Sequence, residues 1–231
     1  MVKRPWRRNG EGPFGEAILE QAERRTGFGS PGYRPLVAFD FDGTLTWKDS
    51  LRDFLAWREG PLGYPRKMAR VAPEALRYTI HKDRTRLKAV LVREFLAGEA
   101  REKLEAEARA YATARAPKLL RPDALRFWRF WREEQDARML IVTATPETIV
   151  APFAADLGAT MLIGSRLAFD QSGAVTGMDG PNCRGPEKVR RLQAIFGDDV
   201  KLDVAFGDSD GDLDMLGLAN ERGLKIFGER P

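Results

Sequence analysis

The chain reads as an α/β protein, a parallel sheet with helices on both faces and an inserted all-helical segment. Three observations predict this. Short apolar runs of strand length stand at 36–39, 139–142 and 202–206, and unbroken runs of this kind suit strands buried on both faces of a parallel sheet. From residue 122 onward, helical and strand patterns alternate. Between 47 and 118, helix follows helix with no strand pattern. The expected organisation is an N-terminal extension over 1–34, a core made of 35–46 with 119–231, and a helical insertion over 47–118.

Taken in order, the extension mixes Arg, Gly and Pro around one possible helix at 14–25, where Phe14, Ile18 and Leu19 recur at helical spacing. Gly27-Phe-Gly-Ser-Pro-Gly32 then breaks the chain, so the extension is expected to be partly disordered and outside the core. Its Trp6 among Arg4, Arg7 and Arg8 would suit an anionic membrane surface, and a solvated basic tail fits the same residues. The first strand ends in Asp40-Phe-Asp42-Gly-Thr. In the insertion, Leu51, Phe54, Leu55 and Trp57 start one helix, and 68–80 suggests a second with Pro73 near its start or at a kink. A third over 86–96 carries Leu87, Val90, Leu91 and Phe95 on one face and stops at Gly98; a fourth covers 100–114.

After Pro122, a helix over 124–135 has Leu125, Phe127, Trp128 and Trp131 on its apolar side. The strand at 139–142 closes in Thr143-Ala-Thr-Pro146, and Pro146 and Glu147 open the next helix. Asp170-Gln-Ser-Gly173 is a hairpin signal between strands at 161–169 and 174–178. Gly185-Pro186-Glu187 starts a basic helix, the strand at 202–206 runs into Gly207-Asp-Ser-Asp-Gly-Asp212, and a last strand is expected at 224–227.

Composition narrows the function. The 231 residues are 43% apolar and 31% charged, and no apolar run approaches the roughly 20 residues that cross a bilayer. The basic N-terminus lacks a secretory apolar stretch, and Cys183 is the sole cysteine, so a reducing, cytoplasmic setting is expected and an intrachain disulfide is excluded. His81 is the sole histidine, which removes Ser-His-Asp triads, phosphohistidine chemistry and multi-His zinc sites unless it sits in the cleft. The insertion with its flanks, 47–121, carries 18 basic residues against 10 acidic. Such a balance suits a segment that attracts anions, and solvated helix faces would give much the same count.

Asp40 and Asp42 close a buried strand, and the C-terminal ends of such strands face the crevice where α/β folds bind ligands. Two carboxylates there repel unless a cation holds one and a proton or hydrogen bonds hold the other. Asp208, Asp210, Asp212 and Asp214 surround the turn after another buried strand. Oxygen-only ligands at strand ends suit Mg²⁺, whereas a calcium loop of the EF-hand type would need a Glu at its twelfth position that is missing. Thr143 ends a third strand, where its hydroxyl suits a phosphoryl oxygen or a helix cap. Lys188 lies in the first turn of a helix, where the dipole disfavours a cation, so an anionic partner and a solvent-facing side chain both remain open.

In this order the four stations resemble the haloacid dehalogenase superfamily of phosphotransferases over roughly residues 36–227. The matching motifs are Asp40-Phe-Asp42-Gly-Thr-Leu-Thr46, Thr143, Lys188 and Gly207-Asp208-Ser-Asp-Gly-Asp212. The resemblance implies a Rossmann-like core with a helical cap between the first two motifs. It implies that Asp40 is a nucleophile forming an aspartyl-phosphate, and that Asp42 protonates the leaving alkoxide and then deprotonates water. Mg²⁺ would be held by Asp40, the Asp42 carbonyl and Asp208, with Asp212 a ligand or a support. Thr143 and Lys188 would bind the transferring oxygens, and Arg184 is the competing candidate for that cation. The presence of Asp42 argues against the dehalogenase branch.

The implied activity is that of a phosphatase on a small anionic phosphate ester. The subclass resembled includes phosphoserine phosphatases and hydrolases like phosphatidylglycerophosphatase C, the latter acting at the inner membrane surface. Asp49, Arg84, Arg86 and Arg184 are the candidate substrate residues, and Asp49 serves equally well as a helix cap. A non-catalytic binder keeping the same fold is the alternative of another class. No base-reading motif appears, so no nucleic-acid partner is expected.

Overall fold

The computed structural model describes residues 32–81 and 83–231, with the backbone alone at 75 and 78–81. The helix expected at 14–25, Trp6 with its arginines, and the His81 side chain all lie outside this description.

Six strands form one sheet, β1 (Leu36–Phe39), β2 (Arg138–Pro146), β3 (Met161–Phe169), β4 (Val175–Asp179), β5 (Leu202–Gly207) and β6 (Ala219–Leu224). Their order is β4-β3-β2-β1-β5-β6. All neighbouring pairs run parallel except β3 with β4, which form the hairpin around 170–173. The most apolar strand, β1, is therefore central, paired with β2 on one side and β5 on the other. Phe39 is in register with Ile141 and with Phe206, so the residues one step further on each strand emerge side by side at one edge.

Alternation along the strands divides the core in two. Val37, Phe39, Met139, Ile141, Val204 and Phe206 point to one face, and Leu36, Ala38, Leu140, Val142 and Ala205 to the other. The first face packs against α4 (Pro122–Arg129), which continues as a π-turn over Phe130–Glu134, and against α5 (Glu147–Asp156). Its centre is aromatic, with the Phe39 ring 4.5 Å from Phe206 and 5.2 Å from Trp128. Each such side chain contributes about 1.5–3 kcal/mol through burial. The second face packs against α6 (Pro186–Phe196) and α7 (Leu213–Gly217) through Leu192, Met215 and Leu216.

Between β1 and β2 lie α1 (Ser50–His81), α2 (Arg84–Leu96) and α3 (Arg101–Leu119). The break in α1 falls at Gly60 (φ 71°, ψ −177°), not at Pro73. Pro61 excludes the helical conformation from the residue before it, and glycine alone adopts this positive φ without strain. Trp57, in the first of these helices, is 37% exposed and leans on Phe54 and Tyr111. These helices do not have a separate core. One apolar cluster runs from Phe41 and Leu45 through Phe54 and Tyr111 to Phe153 of α5.

The last strand is Ala219–Leu224 rather than 224–227. Its sequence, Ala-Asn-Glu-Arg-Gly-Leu, has no apolar run, and the ladder to β5 overrides that weak propensity. Phe227, beyond it, is still buried against Phe39 and Phe206.

One ion cluster holds the inserted helices together. Arg58, nearly buried, pairs with Glu99 at 2.7 Å, Glu107 at 2.6 Å and Glu59 at 3.1 Å, and donates to the Phe95 carbonyl at 2.8 Å. Removing one partner of a buried cluster leaves uncompensated charge, so Arg58→Met is expected to lower unfolding free energy by about 3 kcal/mol. Hydrogen exchange should then accelerate first in α2 and α3. Exchange rising instead across β1 and β5 would refute the assignment.

Candidate active site

Lys188 occupies the centre of the site. Gly185 (φ 58°) and Pro186 begin α6, and Lys188 in its first turn points into the core, 1% exposed. Its ammonium donates to Asp40 Oδ1 at 2.6 Å, Asp212 Oδ1 at 2.7 Å and the Val142 carbonyl at 2.6 Å. Burial alone would strip Lys188 of its proton, and the helix dipole works the same way. The two carboxylates outweigh both and hold its pKa above the ordinary lysine value. Arg184, the competing cation, bonds neither Asp40 nor Asp212; it bonds Ser209 Oγ at 3.3 Å and Asp210.

The three carboxylates of Asp40, Asp208 and Asp212 offer oxygens that all lie within 4.8 Å of one another. They are not equivalent. Asp212 Oδ2 accepts from Asp208 N at 3.2 Å, Ser209 N at 2.9 Å and Ser209 Oγ at 3.0 Å, so both its oxygens are engaged. Burial pushes Asp212 up, but Lys188 and the Ser209 donors bring it below the usual carboxylate range. The Asp208 carboxylate and Asp40 Oδ2 accept no hydrogen bond from the described residues, and burial raises the pKa of both groups. Gly43 (φ 84°) makes this approach possible, because a Cβ there would collide with the Asp208 carboxylate. Two partly buried, unpartnered oxygen sites beside an engaged third suit a small hard divalent cation.

Asp42 is held from two sides. Oδ1 accepts the N–H of Ser50, the first residue of α1, at 2.7 Å, and Oδ2 accepts Thr145 Oγ1–H at 2.6 Å. Burial, with Asp49 adding, pushes its pKa up to about 6 despite these donors. Thr143 is fully buried, and its Oγ1 accepts the Thr145 N–H at 3.1 Å.

The remaining sequence candidates divide. A cavity of about 450 Å³ opens above the carboxylates, and Asp49, Arg84 and Arg184 line it. Asp49 Oδ1 also accepts the Arg52 N–H at 2.9 Å, so it caps α1 as well. Arg86 is not brought to the cavity; it makes a two-pronged pair with Glu74 at 2.8 Å on the outer surface. Sequence reasoning missed Thr145, Lys88 and Asn182, all close to the site. Thr145 stands two residues after Thr143, the spacing that puts two side chains on one face of a strand. Lys88 stands one helical turn before Leu91 and Val92 on the buried face of α2, an anomaly the pattern does contain.

Glu187, beside Lys188, fixes the helix that presents it. Arg190 and Arg191 bond its carboxylate, and Arg191 reaches on to the carbonyls of Gly164 and Pro181. Arg190 foremost, with burial opposing and Arg191 adding, holds Glu187 down at about 2. A carboxyl depressed in the folded state contributes stability above its unfolded value of 4.5 and loses it as pH falls towards 2. Denaturant unfolding at several pH values between about 7 and 3 should therefore show a shallower acid loss for Glu187→Gln than for wild type. Parallel curves would remove Glu187 from this role.

The sequence model of the haloacid dehalogenase-like hydrolases matches residues 37–217. Protein CicA of Caulobacter vibrioides is 48% identical over 233 residues, covering all of both chains. Among solved structures, a protein of unknown function from Bordetella pertussis Tohama I aligns with a TM-score of 0.67 at 22% identity, over 80% of this chain and 86% of that one. A substrate-bound phosphoserine phosphatase aligns at 0.56 and 18%, over 83% and 86%. These two structures share the fold with this chain, and the sequence matches go further: the chain belongs to the haloacid dehalogenase-like hydrolase family.

Proposed function

We propose that this hydrolase is a Mg²⁺-dependent phosphatase of small anionic phosphomonoesters that works through an aspartyl-phosphate on Asp40. The observation that carries the reading is a single ammonium, Lys188, shared by Asp40 and Asp212 beside the unpartnered Asp208. Asp40 Oδ2, Asp208 and the Asp42 carbonyl would hold the metal, whose charge would neutralise the phosphoryl oxygens. Asp212 supports from behind, because its oxygens already serve Lys188 and the 208–209 backbone.

The Asp40 carboxylate attacks phosphorus, the bond from phosphorus to the ester oxygen breaks, and Asp42 gives that oxygen its proton. Water then attacks the phosphorus of the aspartyl-phosphate, Asp42 takes the water proton, and inorganic phosphate leaves with Asp40 restored. A pKa of about 6 suits Asp42 to both transfers near neutrality. Lys188 and the Thr143 hydroxyl meet the transferring oxygens, since this chemistry is largely positioning and charge stabilisation. Thr145 acts through Asp42. The Ser50 N–H keeps Oδ1 an acceptor, so the mobile proton resides on Oδ2, the oxygen that Thr145 orients. Among the described residues no helix is long and apolar enough to cross a membrane, and a cytoplasmic setting with a small phosphorylated substrate goes with this reading.

The test is hydrolysis of p-nitrophenyl phosphate with and without Mg²⁺. Metal-dependent turnover is expected, and Asp40→Asn should reduce it to background; activity surviving that change sinks the mechanism. Thr145→Val should slow alkyl phosphates about 10-fold more than p-nitrophenyl phosphate, whose leaving group needs little protonation. Equal slowing of both would remove Thr145 from proton delivery.

A further inference from the structure

The cavity has a second cationic station. Lys48, Arg52, Arg84 and Lys88 line it from the insertion, and none has a carboxylate within ion-pair distance among the described residues. Elsewhere on the insertion Arg58, Lys67, Arg70, Arg86, Lys103 and Arg115 are all ion-paired. Lys88 is the most deeply placed of these four from the insertion. Its ammonium donates to two neutral acceptors, the Ala144 carbonyl at 2.6 Å and Asn182 Oδ1 at 3.1 Å. An ammonium has three protons, so one remains. Burial works against its charge, and Asp42, Asp49 and Asp40 oppose this only from beyond ion-pair distance.

Asn182 adds a second donor. Lysine can only donate, so the amide atom facing Lys88 is oxygen, and Ser165 Oγ donates to the same oxygen at 3.0 Å. The amide nitrogen is buried and has no protein partner. A half-buried cation with a proton to give, beside a buried amide with none of its protons engaged, is a receptor short of its acceptor.

The strand supplies a ruler. Lys188 sits on the Val142 carbonyl and Lys88 on the Ala144 carbonyl, two residues further along β2. Two residues of chain span at most about 7 Å, and β2 is irregular between Val142 and Pro146, so the two carbonyls lie within that reach. Lys188 marks the phosphoryl group, so an acceptor at Lys88 lies within reach of a short carbon chain on the leaving-group side.

We propose that Lys88 and Asn182 receive an acidic group on the leaving alcohol, a carboxylate or a second phosphate a few atoms from the ester oxygen. The inference rests on the phosphatase reading and narrows it to phosphate esters of acidic alcohols.

Two matched pairs test it: 3-phosphoglycerate against glycerol 3-phosphate, and 1,3-propanediol bisphosphate against its monophosphate. Wild type is expected to favour the acidic member of at least one pair by about 10-fold or more in kcat/KM. The pair that responds tells carboxylate from phosphate. Lys88→Met should bring that ratio towards one, chiefly through KM. Asn182→Asp, which sets a carboxylate against an intact lysine, should do the same, with thermal melting reporting that each variant folds. Three outcomes overturn the inference: a wild-type ratio near one in both pairs, a ratio unchanged in both variants, or turnover of p-nitrophenyl phosphate with none of either acidic ester. Loss in Lys88→Met that is equal across all esters counts as an unchanged ratio and leaves Lys88 a latch between insertion and core. A wild-type protein inert towards every ester, p-nitrophenyl phosphate included, overturns the phosphatase reading itself and this inference with it.

Discussion

The shared ammonium of Lys188 is the interaction on which the rest of the site depends. A carboxylate at the end of a central strand and another after β5 would repel across a few ångströms of low-dielectric interior. Lys188 between them makes the pair tolerable, and the Val142 carbonyl fixes its remaining direction. All three partners come from the C-terminal edge of β2, β1 and β5, which the register of the sheet sets level. The parallel sheet is thus the instrument that gathers residues more than a hundred positions apart. The helix bearing Lys188 is in turn held through Glu187 and Arg191 to the Gly164 carbonyl within β3 and the Pro181 carbonyl after β4. Deep burial of this group makes its geometry rigid, which is what charge stabilisation in a transition state requires.

The charge asymmetry of the sequence looks different once its pairs are known. The insertion is rich in basic residues, but much of that charge is answered internally. Arg58 takes three carboxylates, Arg115 grips Asp53, and Arg86 grips Glu74. Four basic residues outside these pairs, Lys48, Arg52, Arg84 and Lys88, line the cavity where the inserted helices meet the sheet. A net charge counted along the chain could not separate these populations, because pairing depends on which helices are neighbours.

Much of the fold and the centre of the site were legible because their signals are local. The apolar run before Asp40 announces a buried strand, and the aspartates of 208–212 follow another; both clusters lie where a strand meets a turn. Arg86 and Arg84 are two residues apart on one helix and so point to different sides, which composition near a motif cannot reveal. The break at Gly60 was legible in principle from Gly-Pro, yet Pro73 attracted the reading because proline is expected to interrupt a helix. The strand at 219–224 was hidden since its polar residues have only the ladder to β5 to make them a strand. Thr145 and Lys88 were hidden for a related reason. Their meaning comes from partners 103 and 94 residues away, Asp42 and Asn182.

The hydrogen bond from the Ser50 N–H to Asp42 has a wider consequence. Ser50 is the point where the insertion departs from the core, and Asp42 accepts the first N–H of the helix that begins there. The architecture therefore has a fixed shoulder: the first turn of the insertion cannot be lengthened, shortened or re-aimed without disturbing Asp42, the proposed acid and base. Diversification of this scaffold has room only further out, past the Gly60 joint, where helices can be exchanged while the chemistry beneath stays as it is. Lys88 lies past that joint in the chain although its ammonium reaches back to the core, and there a lineage could acquire a new substrate by a few substitutions.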